Sequence, residues 1–283
     1  MINFPVVGKT ELAPGIKKLV VEAPSLAAKA KPGQFVVLHL HAQGERIPLT
    51  IADFDREEGT ITLIFQEVGL TTFQLGSLEP GDTIRDIAGP LGRPSRVDYF
   101  GKVLCVGGGV GCAPLYPIAR ALREQKNDLA AVVGARSREF LILRKEMEQV
   151  CSPLIIATDD GSEGLQGTVL RGVEKYFREY GKPDYCVCIG PPVMMEAVCS
   201  FTRNYKVKTV VSLNPIMVDG TGMCGACRVV VGGEVKFACV DGPEFDGHLV
   251  DWELFRRRLQ FYKREEKLAL GAFLRKSRSA GER

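Results

Sequence analysis

Lys102-Val103-Leu104-Cys105-Val106-Gly107-Gly108-Gly109-Val110-Gly111 is a short apolar run that closes on a glycine turn, and Ala113 to Glu124 behind it has the apolar spacing of a helix. Strand, glycine turn and helix in that order form a dinucleotide-binding arrangement. The missing side chains let a pyrophosphate approach the backbone and the N-terminus of the helix. Gly109-x-Gly111-x-x-Pro114 departs from the strict fingerprint, with Pro where a third Gly would stand. A Pro in the first turn of a helix is physically comfortable.

Outward from this turn toward the C-terminus, strands are expected at Leu129 to Val133, Leu154 to Thr158, Tyr185 to Ile189 and Val207 to Val211, and helices at Glu139 to Val150, Thr168 to Tyr180 and Pro192 to Thr202. Such alternation predicts a doubly wound parallel α/β lobe over residues 101–210, with ligand loops at the C-terminal strand ends. The candidate nucleotide-binding residues are Gly107, Gly109 and Gly111, then Arg136, Asp159 and Asp160, then Gly190, Pro191 and Met194. An ordinary turn is the competing reading for each loop. A carboxylate on the adenosine ribose favours NAD, whereas Arg and Ser favour a 2'-phosphate. Asp159 and Asp160 pull one way, Arg136 and Ser137 the other.

Toward the N-terminus the pattern changes to short strands at Lys17 to Glu22, Gln34 to His39, Ile47 to Ala52, Ile61 to Gln66 and Asp82 to Ile87, separated by Pro32-Gly33, Glu58-Gly59 and Pro80-Gly81. Close spacing of strands and turns predicts an antiparallel β-barrel over residues 1–100. One helix interrupts it from Thr71 to Leu78, with Gly69 and Thr71 at its entry. Its N-terminus presents free amides and a positive dipole end, which suits a phosphate.

Beyond the nucleotide lobe, residues 211–283 open on Asp219-Gly220-Thr221-Gly222-Met223-Cys224-Gly225-Ala226-Cys227 and reach Cys239 through two short apolar runs joined at Gly232-Gly233. Two thiols in a glycine-rich turn can point at one metal, and the hairpin would return Cys239 beside them as a third ligand. A plant-type iron-sulfur loop has another cysteine five positions before its Cys-x-x-Cys pair, where this chain has Asp219. Two other readings stand beside ligation by Asp219: an Asx turn made by its carboxylate, and His248 as the fourth ligand. A structural zinc site is the competing reading for the whole cluster.

Composition narrows the classes. With 283 residues, 45% apolar, the chain has material for two or three packed units. It contains no apolar stretch long enough to span a bilayer, and Met1-Ile2-Asn3-Phe4-Pro5 has no basic n-region, so the expectation is a cytoplasmic protein with no membrane role. A net charge of +3 is too weak to call for nucleic acid. Residues 251–283 are a basic tail, with ten Lys or Arg against five Asp or Glu. Nine cysteines in a chain of this length read as reduced thiols plus a metal site, with Cys105, Cys112, Cys151, Cys186, Cys188 and Cys199 as small core residues. Glu253 to Leu274 is expected to be mostly helical, with Leu254, Phe255, Leu259, Phe261 and Tyr262 facing no evident core, as a docking arm or a solvated basic helix.

Arg46-Ile47-Pro48-Leu49-Thr50-Ile51 resembles the flavin-binding strand of the ferredoxin-NADP reductase family, and Val68-Gly69-Leu70-Thr71-Thr72 resembles its pyrophosphate loop. Gly89-Pro90-Leu91-Gly92 is similar to the loop that closes that domain, and Gly190-Pro191-Pro192 to the loop near nicotinamide. The resemblance implies FAD held by Arg46, Pro48, Leu49, Thr50, Gly69, Thr71 and Thr72, with Arg46 on a flavin phosphate and Thr50 near the reactive N5. Family members often place a cysteine directly before the Gly of the last loop. Here Ile189 stands there, with Cys188 one residue earlier, so the resemblance assigns no cysteine to hydride transfer. Barrel, nucleotide lobe and C-terminal cysteine cluster together resemble the electron-transfer subunits of dihydroorotate dehydrogenases. The Asp at the first ligand position is closer to small subunits of NADH-dependent reduced ferredoxin:NADP oxidoreductases and to sulfide dehydrogenase beta subunits. This implies a 2Fe-2S cluster on Asp219, Cys224, Cys227 and Cys239, NAD(H) as hydride partner, and a larger flavin and iron-sulfur subunit as electron partner. A zinc-stabilised, flavin-binding regulatory subunit is the alternative of another class.

Overall fold

A computed structural model describes residues 3–281, with side chains to Arg275 in the last helix. The first hundred residues form one seven-stranded, nearly closed antiparallel sheet. Its strands are β1 (Phe4–Ala13), β2 (Ile16–Glu22), β3 (Phe35–His39), β4 (Arg46–Asp55), β5 (Thr60–Gln66), β6 (Thr83–Ile84) and β7 (Asp86–Leu91), in the order β6-β1-β2-β5-β4-β3-β7. The short helices α1 (Pro24–Ala27) and α2 (Leu70–Gly76) sit in its connections. Leu19, Val36, Leu38, Ile51, Ile61 and Leu63 fill the interior. Two expectations need correction. The strand β1 was not foreseen, because Phe4–Ala13 mixes Gly, Lys and Glu into an edge-like pattern whose alternation is broken by bulges against β2. Asp82 to Ile87 is not one strand: Thr83–Ile84 pairs with β1, and Asp86–Leu91 crosses to β3.

The second sheet has the order β11-β10-β9-β8-β12-β13-β16, from β8 (Lys102–Gly108), β9 (Asp128–Ala135), β10 (Leu154–Thr158), β11 (Leu165–Gln166), β12 (Tyr185–Ile189), β13 (Lys208–Ser212) and β16 (Glu244–Asp246). All pairings are parallel except β13 with β16. The order reverses at β8, so the crevice of a doubly wound fold lies between the C-terminal ends of β8 and β12. Helices α3 (Cys112–Glu124), α4 (Arg144–Val150), α5 (Val169–Tyr180) and α6 (Pro192–Asn204) cover its faces. The helix expected over Glu139 to Val150 is broken. A 3-10 turn at Arg138–Phe140 is followed by Leu143 at φ 53, a left-handed residue that ends one helix before the next can begin.

Barrel and nucleotide lobe share one core. Ala13, Ile16, Ala52 and Ile64 pack with Ala113, Leu115, Ile118 and Ala119 of α3. Beside this contact Arg120 grips Asp53 with both terminal nitrogens, at 2.6 and 3.2 Å. The pair is a little over one-third exposed on each side, so screening discounts it. Asp53→Asn is expected to cost about 1 kcal/mol, read as a small drop in melting temperature of the holoprotein.

The C-terminal segment adds the hairpin β14 (Arg228–Val231) and β15 (Glu234–Phe237), turned at Gly232 and Gly233, both at positive φ as a two-residue hairpin turn demands. Then come β16, α7 (Trp252–Arg258) and α8 (Lys263–Gly281). Phe255 does not face open solvent as expected: it is 2% exposed and packs beside Trp252, under α6 and the hairpin. Phe261 and Tyr262 are exposed in the joint between α7 and α8. None of the described helices is long and apolar enough to cross a membrane.

Glu244 fastens this segment to the barrel, accepting a 2.5 Å hydrogen bond from Ser95 in the linker after β7. Enclosure of its carboxyl raises its pKa above the ordinary range, against the pull of that bond. A raised carboxyl pKa contributes stability below the unfolded pKa and loses it as pH rises through the folded one. Glu244→Gln removes the ionisable carboxyl, so its melting temperature relative to the parent is expected to improve from pH 5 to pH 8. Calorimetry at both pH values checks the sign.

Candidate active site and iron-sulfur segment

The strand with the flavin-like motif changes partner midway. From Arg46 to Thr50, β4 pairs with β3; its ladder with β5 begins at Ile51. The first half therefore has one open edge, which is where Pro48, with no N–H to donate, is tolerated. Arg46 is exposed, and Pro48, Leu49 and Thr50 are half-buried. Next to Arg46, Glu45 accepts a 3.0 Å hydrogen bond from the Thr71 hydroxyl, which brings the start of β4 to the start of α2. The two flavin motifs, distant in sequence, therefore meet. Thr72 caps the turn: its hydroxyl accepts from the amides of Val68 and Gly69, each at 3.0 Å. A side chain at Gly69 would have open space in front of it, so the entry to α2 is an uncovered backbone cradle.

At the crevice of the second sheet, three glycines serve close approach. A Cβ at Gly111 would lie 2.5 Å from the Ile189 carbonyl, one at Gly108 would strike Met194, and one at Gly190 would strike Met194 as well. Met194 therefore fills the gap between the two loops. Gly109 differs: it has φ +54, and nothing lies within 4 Å of its missing side chain. It is the open point of the turn. Cys188 is fully buried, and burial pushes its thiol well above the ordinary range, so it offers no thiolate to this crevice. All six cysteines expected in the core are buried.

Arg136 lies over the Phe140 ring at 4.4 Å. The loop after β10 is its neighbour, because the Asp160 amide donates to the Arg136 carbonyl at 3.2 Å. Asp160 accepts from the Ser162 amide and hydroxyl, which hold its carboxyl below the usual range. Asp159 and Asp160 thus stand beside Arg136 and Ser137. The residues expected to pull against each other in nucleotide choice share one rim.

The cysteine segment lies against the outside of the barrel. Cys227 and Cys239 are buried with their sulfurs 3.2 Å apart, in a cluster with Phe35 and Val37 of β3, Met217 and Ala238. Burial pushes the Cys239 thiol up to about 12. Cys224 is exposed. Asp219 receives the Thr221 amide on one oxygen and the Cys224 amide on the other, each at 2.8 Å, so in this conformation its carboxylate makes the Asx turn. Those amides hold its pKa below the ordinary range. His248 lies elsewhere, its Nε2 3.1 Å from the Thr202 hydroxyl behind the nucleotide sheet. Among the described residues no three His, Cys, Asp or Glu converge as a metal-holding group. The donor chemistry nevertheless fits a small cluster: a buried pair of thiols, with a third thiol and a carboxylate on a loop where Gly220, Gly222 and Gly225 all have positive φ.

Flavin strand and thiol pair are one strand apart. Thr50 stands directly opposite Phe35 in the β4–β3 register, and Phe35 belongs to the cluster that buries Cys227 and Cys239. Adjacent strands lie about 4.8 Å apart. Sequence reasoning missed Glu45, Asp53 and Arg120, whose roles depend on long-range pairing that no local pattern announces.

Residues 105–200 match the oxidoreductase NAD-binding domain, and residues 214–251 match the iron-sulfur cluster binding domain of dihydroorotate dehydrogenase B. With the barrel ahead of them, these define an NAD-binding, iron-sulfur oxidoreductase. A Thermotoga maritima protein described as a dihydroorotate dehydrogenase B (NAD(+)), electron transfer subunit homolog is 49% identical, over 98% of this chain and 96% of the relative. The dihydroorotate dehydrogenase B (NAD(+)), electron transfer subunit of Desulforamulus reducens is 32% identical over 86% of this chain and 95% of its own length. A structure solved for insights into flavin-based electron bifurcation in the NADH-dependent reduced ferredoxin-NADP oxidoreductase is 47% identical, with a TM-score of 0.91, over 97% of this chain and 99% of that one. The chain belongs to the dihydroorotate dehydrogenase B electron transfer subunit family.

Proposed function

We propose that this chain is the small, electron-relaying subunit of a bifurcating NADH-dependent ferredoxin:NADP oxidoreductase, with FAD, NAD(H) and a 2Fe-2S cluster as its cofactors. The observation that carries the reading is the placement of the flavin-type strand one strand away from the buried thiol pair. The 0.91 TM-score to a structure of that enzyme supports it. When bound, the flavin converts between the two-electron hydride of nicotinamide and the single electrons of an iron-sulfur cluster.

The protein's part is binding and orientation. Arg46 supplies a cation for the flavin phosphates, and Gly69, Thr71 and Thr72 supply the helix entry beside it. Pro48, Leu49 and Thr50 line the open edge of β4 where the ring system would lie. Gly107, Gly109 and Gly111 receive the nicotinamide dinucleotide, Gly190, Pro191 and Met194 close over its reactive end, and Arg136, Asp159 and Asp160 rim its adenosine end. Asp219, Cys224, Cys227 and Cys239 hold the cluster. A larger flavin and iron-sulfur subunit takes the electrons onward, and the complex works in the cytoplasm.

Metal analysis of the anaerobically purified chain tests the core of this reading. Iron with labile sulfide in equal amounts is expected, and zinc alone would replace it with the regulatory alternative. Arg46→Ala is expected to weaken FAD binding by roughly 1.5–3 kcal/mol, the loss of a charge-assisted contact. Equilibrium dialysis reads it, and an unchanged affinity removes Arg46 from the site. NADH is expected to bleach the flavin faster than NADPH in stopped flow; the reverse order would assign the rim to Arg136 and Ser137.

A further inference from the structure

We infer that Arg258, which lies beyond the matched iron-sulfur stretch, is a positioning residue of the cluster site that also raises the cluster's reduction potential. The inference rests on the proposed 2Fe-2S cluster and adds the group that governs it. Arg258 closes α7, whose face is anchored in the core by Trp252 and Phe255. From there its guanidinium Nη2 donates to the Ala226 carbonyl at 3.0 Å, in the middle of the Cys224-Gly225-Ala226-Cys227 turn. The same guanidinium lies 5.6 Å from the centre of the Phe261 ring. Arg228 also borders the turn, where a Cβ at Gly225 would lie 3.5 Å from its Nη1.

Both arginines line one cavity with Cys224, Gly225, Ala226, Phe261 and Tyr262, of about 290 Å³. The ligand turn is therefore held by a cation fixed to a packed helix. Two consequences follow from physical chemistry. First, a hydrogen bond to the carbonyl between the two cysteines limits the conformations open to a glycine-containing turn, so the proposed ligands are held in register. Second, reduction adds an electron to an anionic centre, and a nearby fixed cation stabilises the added charge, which raises the potential. Arg257, one residue earlier, is exposed and provides an internal comparison.

The test uses the whole holoprotein, purified anaerobically, with the cluster's midpoint potential read by EPR-monitored redox titration. Arg258→Gln is expected to move the potential to a more negative value, while Arg258→Lys, which keeps the charge, stays nearer the parent. Arg257→Gln should leave it unchanged. Iron and sulfide content are measured in parallel, and loss of cluster from Arg258→Gln but not from Arg258→Lys also supports the inference. A parent potential in Arg258→Gln with the cluster intact would overturn it, as would an equal shift in Arg257→Gln. If Arg258→Gln and Arg258→Lys both lose the cluster, Arg228→Gln decides, with a negative shift supporting and an unchanged potential opposing. Absence of a 2Fe-2S cluster from the parent protein would instead overturn the proposed function itself.

Discussion

Asp219→Cys is expected to retain a 2Fe-2S cluster whose visible spectrum and reduction potential move toward those of an all-thiolate site, whereas Asp219→Ala loses most of its cluster. Asp219 stands five residues before Cys224, where plant-type loops have a cysteine, so a thiolate there is expected to reach the proposed cluster. The carboxylate also accepts the amides of Thr221 and Cys224. Alanine removes that capping as well as the proposed ligand, whereas a thiolate can serve as a soft ligand in its place. Iron content, visible circular dichroism and potentiometry separate the outcomes. An Asp219→Ala protein with parental spectrum and potential would leave Asp219 only its Asx turn.

The second large effect is expected at Gly111→Ala. Gly111 has φ −63, which any residue adopts, so the penalty is purely steric. The added methyl would stand 2.5 Å from the Ile189 carbonyl and 2.8 Å from Gly190 Cα, both backbone atoms that cannot rotate away. Overpacking of this kind costs about 1–3 kcal/mol or more. For a chain of this size that is a melting-temperature drop of roughly 2–6 °C. Because β8 and β12 flank the crevice, flavin reduction by NADH should also slow. Gly109→Ala makes the contrast: it meets open space and pays only the left-handed backbone strain of about 1 kcal/mol. Thermal melts of the two variants distinguish crowding from conformation, and equal losses would refute the assignment of Gly111 to close packing.

Much of this architecture was legible because local pattern and tertiary role agree. Tyr185–Ile189 is an apolar run buried along its whole length, Leu154–Thr158 is one of strand length with Ile155, Ala157 and Thr158 buried, and the structure gives both the expected bounds. The hairpin turn at Gly232-Gly233 was equally plain, since two adjacent residues at positive φ need glycine. Where pattern and role diverge, the sequence was silent. The β1 strand lies between the two-residue β6 and β2, and bulges break its register with β2. Leu143 interrupts an otherwise good helical period with a conformation that leucine rarely adopts. Phe255 looked unpartnered because its neighbours in the core, Trp252 apart, come from distant segments such as Val229 and Cys199. At the proposed cluster site the cysteine spacing suggested the donors, but nothing local could show that Arg258 would reach back to Ala226.

The antiparallel pairing of β16 with β13 has a consequence for how the protein is made. A ribosome releases the nucleotide sheet up to Ser212 more than thirty residues before Glu244–Asp246. Until then β13 presents a row of unpaired amides and carbonyls, the kind of border at which chains aggregate. The segment that seals this border also contains every proposed iron ligand, and Asp219, Cys224, Cys227 and Cys239 all emerge before the sealing strand does. Cluster delivery and protection of the nascent sheet therefore fall in the same interval of synthesis.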